Sequence, residues 1–332
     1  MRNLLGIAGL KRTEIERILD RAETLAQLAE RENKKLPTLS GRTIVNLFFE
    51  NSTRTRSSFE LAAKRLSADI VSLQAGSSSV SKGESLRDTV QTLSAYNPSA
   101  IVVRSPHVGA PGMITRWTDA AVINAGDGKH EHPTQALLDA FTLRRRLGEL
   151  DGRSIWIIGD VLHSRVARSN VLALTTLGAK VTVCGPPTLI PRQIEELGCE
   201  VSYTLDGSNQ ADVLYVLRMQ NERMEEDQSF IPSVREYARY FQINGKRLGA
   251  NQLLMHPGPV NRGVELSPDV VDAPQSLITE QVAAGVQVRM AVFYELLANR
   301  GPSGGGEPKL AKAEAVVDPD GANATNERSA SR

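Results

Sequence analysis

The run FFENSTRTRSSFE, Phe48 to Glu60, gathers Ser52, Thr53, Arg54, Thr55 and Arg56 where an apolar β-type stretch gives way to a helical pattern. Backbone N–H groups at a helix start lack intrahelical partners and sit at the positive end of the helix dipole. Such a junction can receive a phosphate. The hydroxyls supply further donors, and Arg54 adds a planar fork of charge-assisted ones. Ser and Thr are also favoured N-caps, so the segment alone suits equally a capped helix flanked by solvated arginines.

Other chemistry-bearing residues recur downstream: Lys82 in GSSSVSKGES, Arg104 in VVRSP, His130 to Gln135 in HEHPTQ, Arg165 in GDVLHSR, Arg218 and Gln220 in LRMQNER, and Pro257 to Pro259 in HPGPVNRG. His130, Glu131 and His132 could suggest a metal, but no third ligand is spaced nearby and Pro133 opens a helix, so no metal site is expected. Arg218 could merely pair with Glu222 or Glu225, and Arg165 could merely aid solubility. The glycines at Gly126, Gly128 and Gly159 lack a G-x-G-x-x-G pattern, so no dinucleotide or other cofactor is expected.

These residues need a frame. Short β-rich runs alternate with helical stretches in two series, the pattern of parallel sheets with crossover helices. The first series places strands at Thr43 to Phe49, Asp69 to Leu73, Ala100 to Val103 and Ala121 to Asn124, with helices at Thr55 to Leu66, Ser85 to Ala95 and Pro133 to Leu147. The second runs through SIWIIGD, the helical RVARSNVLALTTLG, KVTVCG, a helical PRQIEELG, VSYT, ADVLYVLRM and NQLLMHPGP. Both read as doubly wound, which puts ligands beyond the strands' carboxyl ends, where the unusual motifs fall. Ile278 to Asn299 carries Val282, Val286, Met290, Phe293 and Leu297 as one helical stripe, expected to be packed. The run after Arg300 is rich in Gly, Ser, Pro and charge, and is expected to be a disordered tail.

Composition limits the partners. Lys plus Arg total 39 against 38 acidic residues, so no global basic field is available to hold nucleic acid or an anionic membrane. The apolar part of the N-terminus is broken by charge before it reaches signal-peptide or spanning length. Cys184 and Cys199 have neither metal nor disulfide-scaffold spacing, which fits a reducing cytosol.

Taken in order, these motifs resemble those of the aspartate/ornithine carbamoyltransferase family across roughly residues 1 to 300. The resemblance implies two doubly wound parallel-sheet α/β domains joined by long helices. Residues 1–148 with 277–300 would bind carbamoyl phosphate, 149–276 would bind aspartate, and 301–332 would form the tail. It implies that Ser52, Thr53, Arg54, Thr55 and Arg104 hold the phosphate. His132 and Gln135 would contact the carbamoyl end, with the backbone at Gly258 and Pro259 on its amide. Arg165, Arg218 and Gln220 would bind the amino acid. Lys82 and one serine of Ser77 to Ser81 would arrive from a neighbouring subunit of a homotrimer. The expected reaction is carbamoyl transfer to L-aspartate, the committed step of de novo pyrimidine synthesis, with neither metal nor protein nucleophile.

Ornithine is the alternative amine. A dicarboxylate suits Arg165, Arg218 and Lys82 better than a distal ammonium does. This chain also has HPGP where ornithine enzymes typically carry HCLP, and it has no SMG run. A non-catalytic assembly subunit of the same fold is a remoter alternative, because such proteins lose phosphate-site residues that are kept here. HPGPVNRG resembles the branch of the family that can assemble with dihydroorotase.

Overall fold

The computed structural model describes residues 1–27, 34–74, 84–219 and 233–298, which carry two parallel sheets in succession along the chain. Helix α1 (Arg12–Ala26) precedes β1 (Thr43–Phe48), α2 (Thr53–Arg65), β2 (Asp69–Gln74), α3 (Leu86–Ser94), β3 (Ala100–Ser105), α4 (Ala110–Ile114), β4 (Ala121–Asp127) and α5 (Pro133–Leu147). The second series is β5 (Ser154–Ile158), α6 (Arg165–Thr176), β6 (Lys180–Cys184), β7 (Glu200–Ser202), β8 (Val213–Val216), α7 (Val234–Phe241) and β9 (Leu253–Met255). Helices α8 (Pro268–Val271) and α9 (Ile278–Leu297) follow.

The strand orders are β2-β1-β3-β4 and β7-β6-β5-β8-β9, with every pairing between these strands parallel. Both sheets are therefore doubly wound. Each order reverses beside the strand that comes first in sequence, between β1 and β3 and between β5 and β8, which opens a crevice at the carboxyl ends. Strands β4 and β8 are buried along their whole length, as expected of strands covered on both faces.

Helix α9 packs on α1, α2 and α5. The edge-to-face pair Phe59 and Phe293, 5.7 Å apart, pins α2 to it, a contact worth roughly 0.5–1.5 kcal/mol beyond area burial. The expected stripe needs one correction: Val286, Met290, Phe293 and Leu297 are buried, but Val282 is 56% exposed. The expected helix PRQIEELG is a second difference. Only a 3-10 turn, Ile194–Leu197, forms there, because Gln193 and Gly198 on either side adopt left-handed backbone that α-helical bonding cannot continue. Among the described residues no helix is long and apolar enough to cross a membrane.

Candidate active site

A cavity of about 960 Å³ is lined by the segments that leave the carboxyl ends of β1, β3, β4, β5, β8 and β9, together with one face of α9. Ser52, Thr53, Arg54, Thr55, Arg104, His132, Gln135, Arg165, Arg218, Gly258 and Pro259 all line it. Lys82, the serines from Ser77 to Ser81, and Gln220 lie outside the described residues, as do Glu222 and Glu225. Among the described residues, five guanidinium groups border the cavity (Arg54, Arg104, Arg165, Arg218 and Arg289) against one carboxylate, that of Glu50. Such a field, walled by protein, concentrates anions.

At the start of α2 the first helical bond runs from the N–H of Arg56 to the Ser52 carbonyl at 3.1 Å. The N–H groups of Thr53, Arg54 and Thr55 therefore have no intrahelical acceptor, and the Ser52 hydroxyl does not cap them. Its side chain, Thr55 and these amides form a nest of donors for a phosphate-sized anion. Arg56 is not part of the lining; its Nε turns toward Glu60, 3.9 Å away and one turn on. Burial, then the Arg218 charge, lowers the Arg54 pKa, so an arriving anion relieves a repulsion between the two cations. The turn carrying Gly258 approaches this guanidinium: Gly258 has φ +61°, and a methyl group there would lie 3.3 Å from Arg54 Cζ.

Glu50 ties the two sheets' cations together. Its Oε2 lies 3.1 Å from Arg104 Nε and 2.7 Å from Arg165 Nη2. Carbonyls complete the clamp, with Arg104 Nη1 donating to Ala125 O at 3.2 Å and Arg165 Nη1 to Gly128 O at 3.2 Å. Gly126 is explained by this approach, since a methyl group at its position would lie 2.9 Å from Arg165 Cζ. Arg165 itself is only 4% exposed, so solubility is not its role.

His130, Glu131 and His132 divide their tasks. His130 Nδ1 pairs with Asp127 Oδ2 at 3.1 Å, and Glu131 accepts from the Ile7 and Ala8 amides at 2.6 and 3.2 Å. His132 is anchored by its own N–H to Ser169 Oγ at 2.9 Å, and its buried Nδ1 has no partner among the described residues. Burial holds its pKa well below 6.5, and Arg104, Arg165 and Arg289 push the same way. The ring is neutral at physiological pH and keeps one N–H to donate.

Two contributors were not singled out in the sequence. Glu50 sits inside the quoted FFENSTR run, where a carboxylate beside a cationic cluster was the available signal. Arg289 is fully buried on α9, donates to Ser58 Oγ at 2.7 Å and lies 4.9 Å from the Phe59 ring centre. Burial pushes its pKa down to about 10, which leaves it charged at neutral pH.

The family description "aspartate/ornithine carbamoyltransferase, carbamoyl-P binding domain" matches residues 2–145, and its "Asp/Orn binding domain" matches residues 151–296. The aspartate carbamoyltransferase catalytic subunit of Acidothermus cellulolyticus is 56% identical over 315 residues, covering 94% of this chain and 95% of that one. Its counterpart in Salinispora arenicola is 57% identical over 304 residues, covering 90% and 98%. Among solved structures, aspartate transcarbamoylase from Trypanosoma cruzi in complex with carbamoyl aspartate and phosphate superposes with a TM-score of 0.81 at 30% identity, covering 89% of this chain and 96% of that one. The catalytic subunit of the M. jannaschii aspartate transcarbamoylase gives 0.78 at 36% identity, covering 89% and 98%.

Proposed function

The chain belongs to the aspartate/ornithine carbamoyltransferase family, and from that premise we propose that its cavity holds carbamoyl phosphate and L-aspartate side by side. It is an aspartate carbamoyltransferase: it moves the carbamoyl group of carbamoyl phosphate to the aspartate amine, giving N-carbamoyl-L-aspartate and phosphate, the committed step of de novo pyrimidine synthesis. The observation that carries this reading is the convergence of the α2 start and Arg104 with Arg165 and Arg218 on one cavity. That arrangement suits a phosphate at one end and a dicarboxylate at the other.

Ser52, Thr53, Arg54, Thr55 and Arg104 hold the phosphate. Gln135 and the backbone at Gly258 and Pro259 meet the carbamoyl amide. Attack by the amine nitrogen forms the N–C bond and drives negative charge onto the carbamoyl oxygen, which neutral His132 and Thr55 stabilise by donation. The C–O bond to phosphate then breaks, and Arg54, Arg104 and Lys82 offset the charge of the leaving group. The departing phosphate can take the amine proton, so the step needs no protein nucleophile.

Arg165, Arg218, Gln220 and Lys82 bind aspartate. Ornithine's distal ammonium would face the same guanidiniums and be repelled. Replacing Arg218 by Ala is therefore expected to raise the aspartate KM by about 10- to 100-fold, the worth of a charge-assisted hydrogen bond. The carbamoyl phosphate KM should move far less. Steady-state kinetics with each substrate varied in turn checks this, and equal damage to both constants would count against the assignment.

Residues 1–148 with 277–300 form the carbamoyl phosphate domain and 149–276 the aspartate domain, a division supported by the packing of α9 on α1, α2 and α5. The working unit is a homotrimer, as the resemblance implies; its cytoplasmic location is in keeping with two free buried thiols. The resemblance of HPGPVNRG to the dihydroorotase-assembling branch favours a larger complex with that enzyme.

A further inference from the structure

Asp139 lies on α5 one turn beyond Gln135, is fully buried, and does not line the cavity. Four side chains from four elements nevertheless donate to it. Its Oδ1 accepts from Gln135 Nε2 at 3.0 Å and from Gln281 Nε2, on α9, at 2.7 Å. Its Oδ2 accepts from Asn170 Nδ2, on α6, at 2.9 Å and from the Tyr215 hydroxyl, on β8, at 2.8 Å. An ionised carboxylate only accepts, so both glutamines must turn their NH2 groups toward it and their amide oxygens away.

The two amide oxygens have different fates. Gln281 Oε1 accepts from the His256 backbone N–H at 3.0 Å, and His256 Nδ1 in turn accepts from the Gly258 N–H at 2.8 Å, so one carboxylate oxygen leads through Gln281 to the turn carrying Gly258 and Pro259. Gln135 lines the cavity, and its Oε1 accepts no hydrogen bond among the described residues. It is presented as an acceptor.

Resting on the assignment of Gln135, Gly258 and Pro259 to the carbamoyl end, we infer that Asp139 is the positioning residue for carbamoyl recognition. It fixes Gln135 as an acceptor and, through Gln281, holds the 256–259 turn, so that the cavity selects a ligand bearing an NH2 group over one that bears only phosphate. A carbamoyl amide has two N–H donors that need such acceptors; inorganic phosphate makes no use of them. Burial pushes the Asp139 pKa up to about 6, partly offset by the four donors, so the acceptor form dominates at neutral pH.

The test compares binding of carbamoyl phosphate, acetyl phosphate and inorganic phosphate to the full-length protein by titration calorimetry. Acetyl phosphate carries a methyl group where carbamoyl phosphate carries NH2. Asp139→Ala and Gln281→Met are each expected to weaken carbamoyl phosphate about tenfold relative to the other two ligands. Phosphate affinity should stay within about twofold, since the phosphate nest is untouched. Tyr215→Phe removes a donor on the Oδ2 side and should lower Tm without changing selectivity. If Asp139→Ala does not fold, Gln281→Met carries the comparison alone. Unchanged selectivity in the variants, or an equal loss in Tyr215→Phe, overturns the inference while leaving the proposed reaction standing. A native protein that does not favour carbamoyl over acetyl phosphate also removes the assignment of Gln135, Gly258 and Pro259 to the carbamoyl end.

Discussion

Replacing Arg54 by Ala lowers turnover by about 10²-fold or more and leaves the fold intact, as the loss of a preorganised charge at a developing anion should. Two features make this a clean deletion. The Arg54 side chain makes no hydrogen bond among the described residues, so its removal orphans no structural partner, and it stands beside the amide nest at the α2 start. Its pKa is lowered by burial and by Arg218, the signature of a cation held in an unfavourable field until an anion arrives. Arg104 would be a poorer probe. It donates to Ala125 O and shares Glu50 with Arg165, so its deletion would take a partner from each of these groups and blur function with structure. The check is kcat at saturation in both substrates, with Tm as the control for folding; near-normal turnover removes Arg54 from the mechanism.

Mixing two inactive variants should restore activity. Lys82 belongs to a run of small hydroxylated residues nearly devoid of apolar anchors, and in the proposed homotrimer that run crosses a subunit interface to the neighbouring site. In that arrangement every site takes Arg54 from one chain and Lys82 from the next. Trimers reassembled at random from equal amounts of Arg54→Ala and Lys82→Ala chains would then carry both native residues at about a quarter of their sites, because a closed ring meets each neighbour through the same interface. Activity near that fraction of the native level is expected after dissociation and reassembly. Hybrid trimers demonstrated by mass and as inactive as their parents would mean that Lys82 acts within its own chain or not at all.

Legibility in the sequence followed the range of the signal. The central strands and α5 were readable because burial on both faces leaves continuous apolar runs, and because Pro133 marks a helix start where its missing N–H costs nothing. The convergence of Arg54, Arg104, Arg165 and Arg218 was implied by their common position after parallel strands, since doubly wound sheets direct those ends to one side. Other features needed the third dimension. Arg289 reads as a polar interruption of an apolar helix until Ser58 and Phe59, far away in sequence, are folded against it. Glu50 acquires its bridging position only when the ends of β3 and β5 meet beside it. Val282 matched the helical period of its neighbours, but the period cannot tell a wall of core from the wall of a cavity. Helix α1 has Ile15, Ile18, Leu19 and Ala22 at helical spacing, but charged residues interrupt them in the chain, and the stripe is evident only where α1 packs on α9.

The most direct test of the central claim is the identity of the product formed by the purified chain from carbamoyl phosphate labelled with 13C at the carbonyl. Followed by NMR in the presence of equal L-aspartate and L-ornithine, the label should pass to N-carbamoyl-L-aspartate, with one phosphate released per carbamoyl group transferred and no carbamoyl ornithine. Label appearing in carbamoyl ornithine, or carbamoyl phosphate decaying no faster than in buffer alone, would contradict the account.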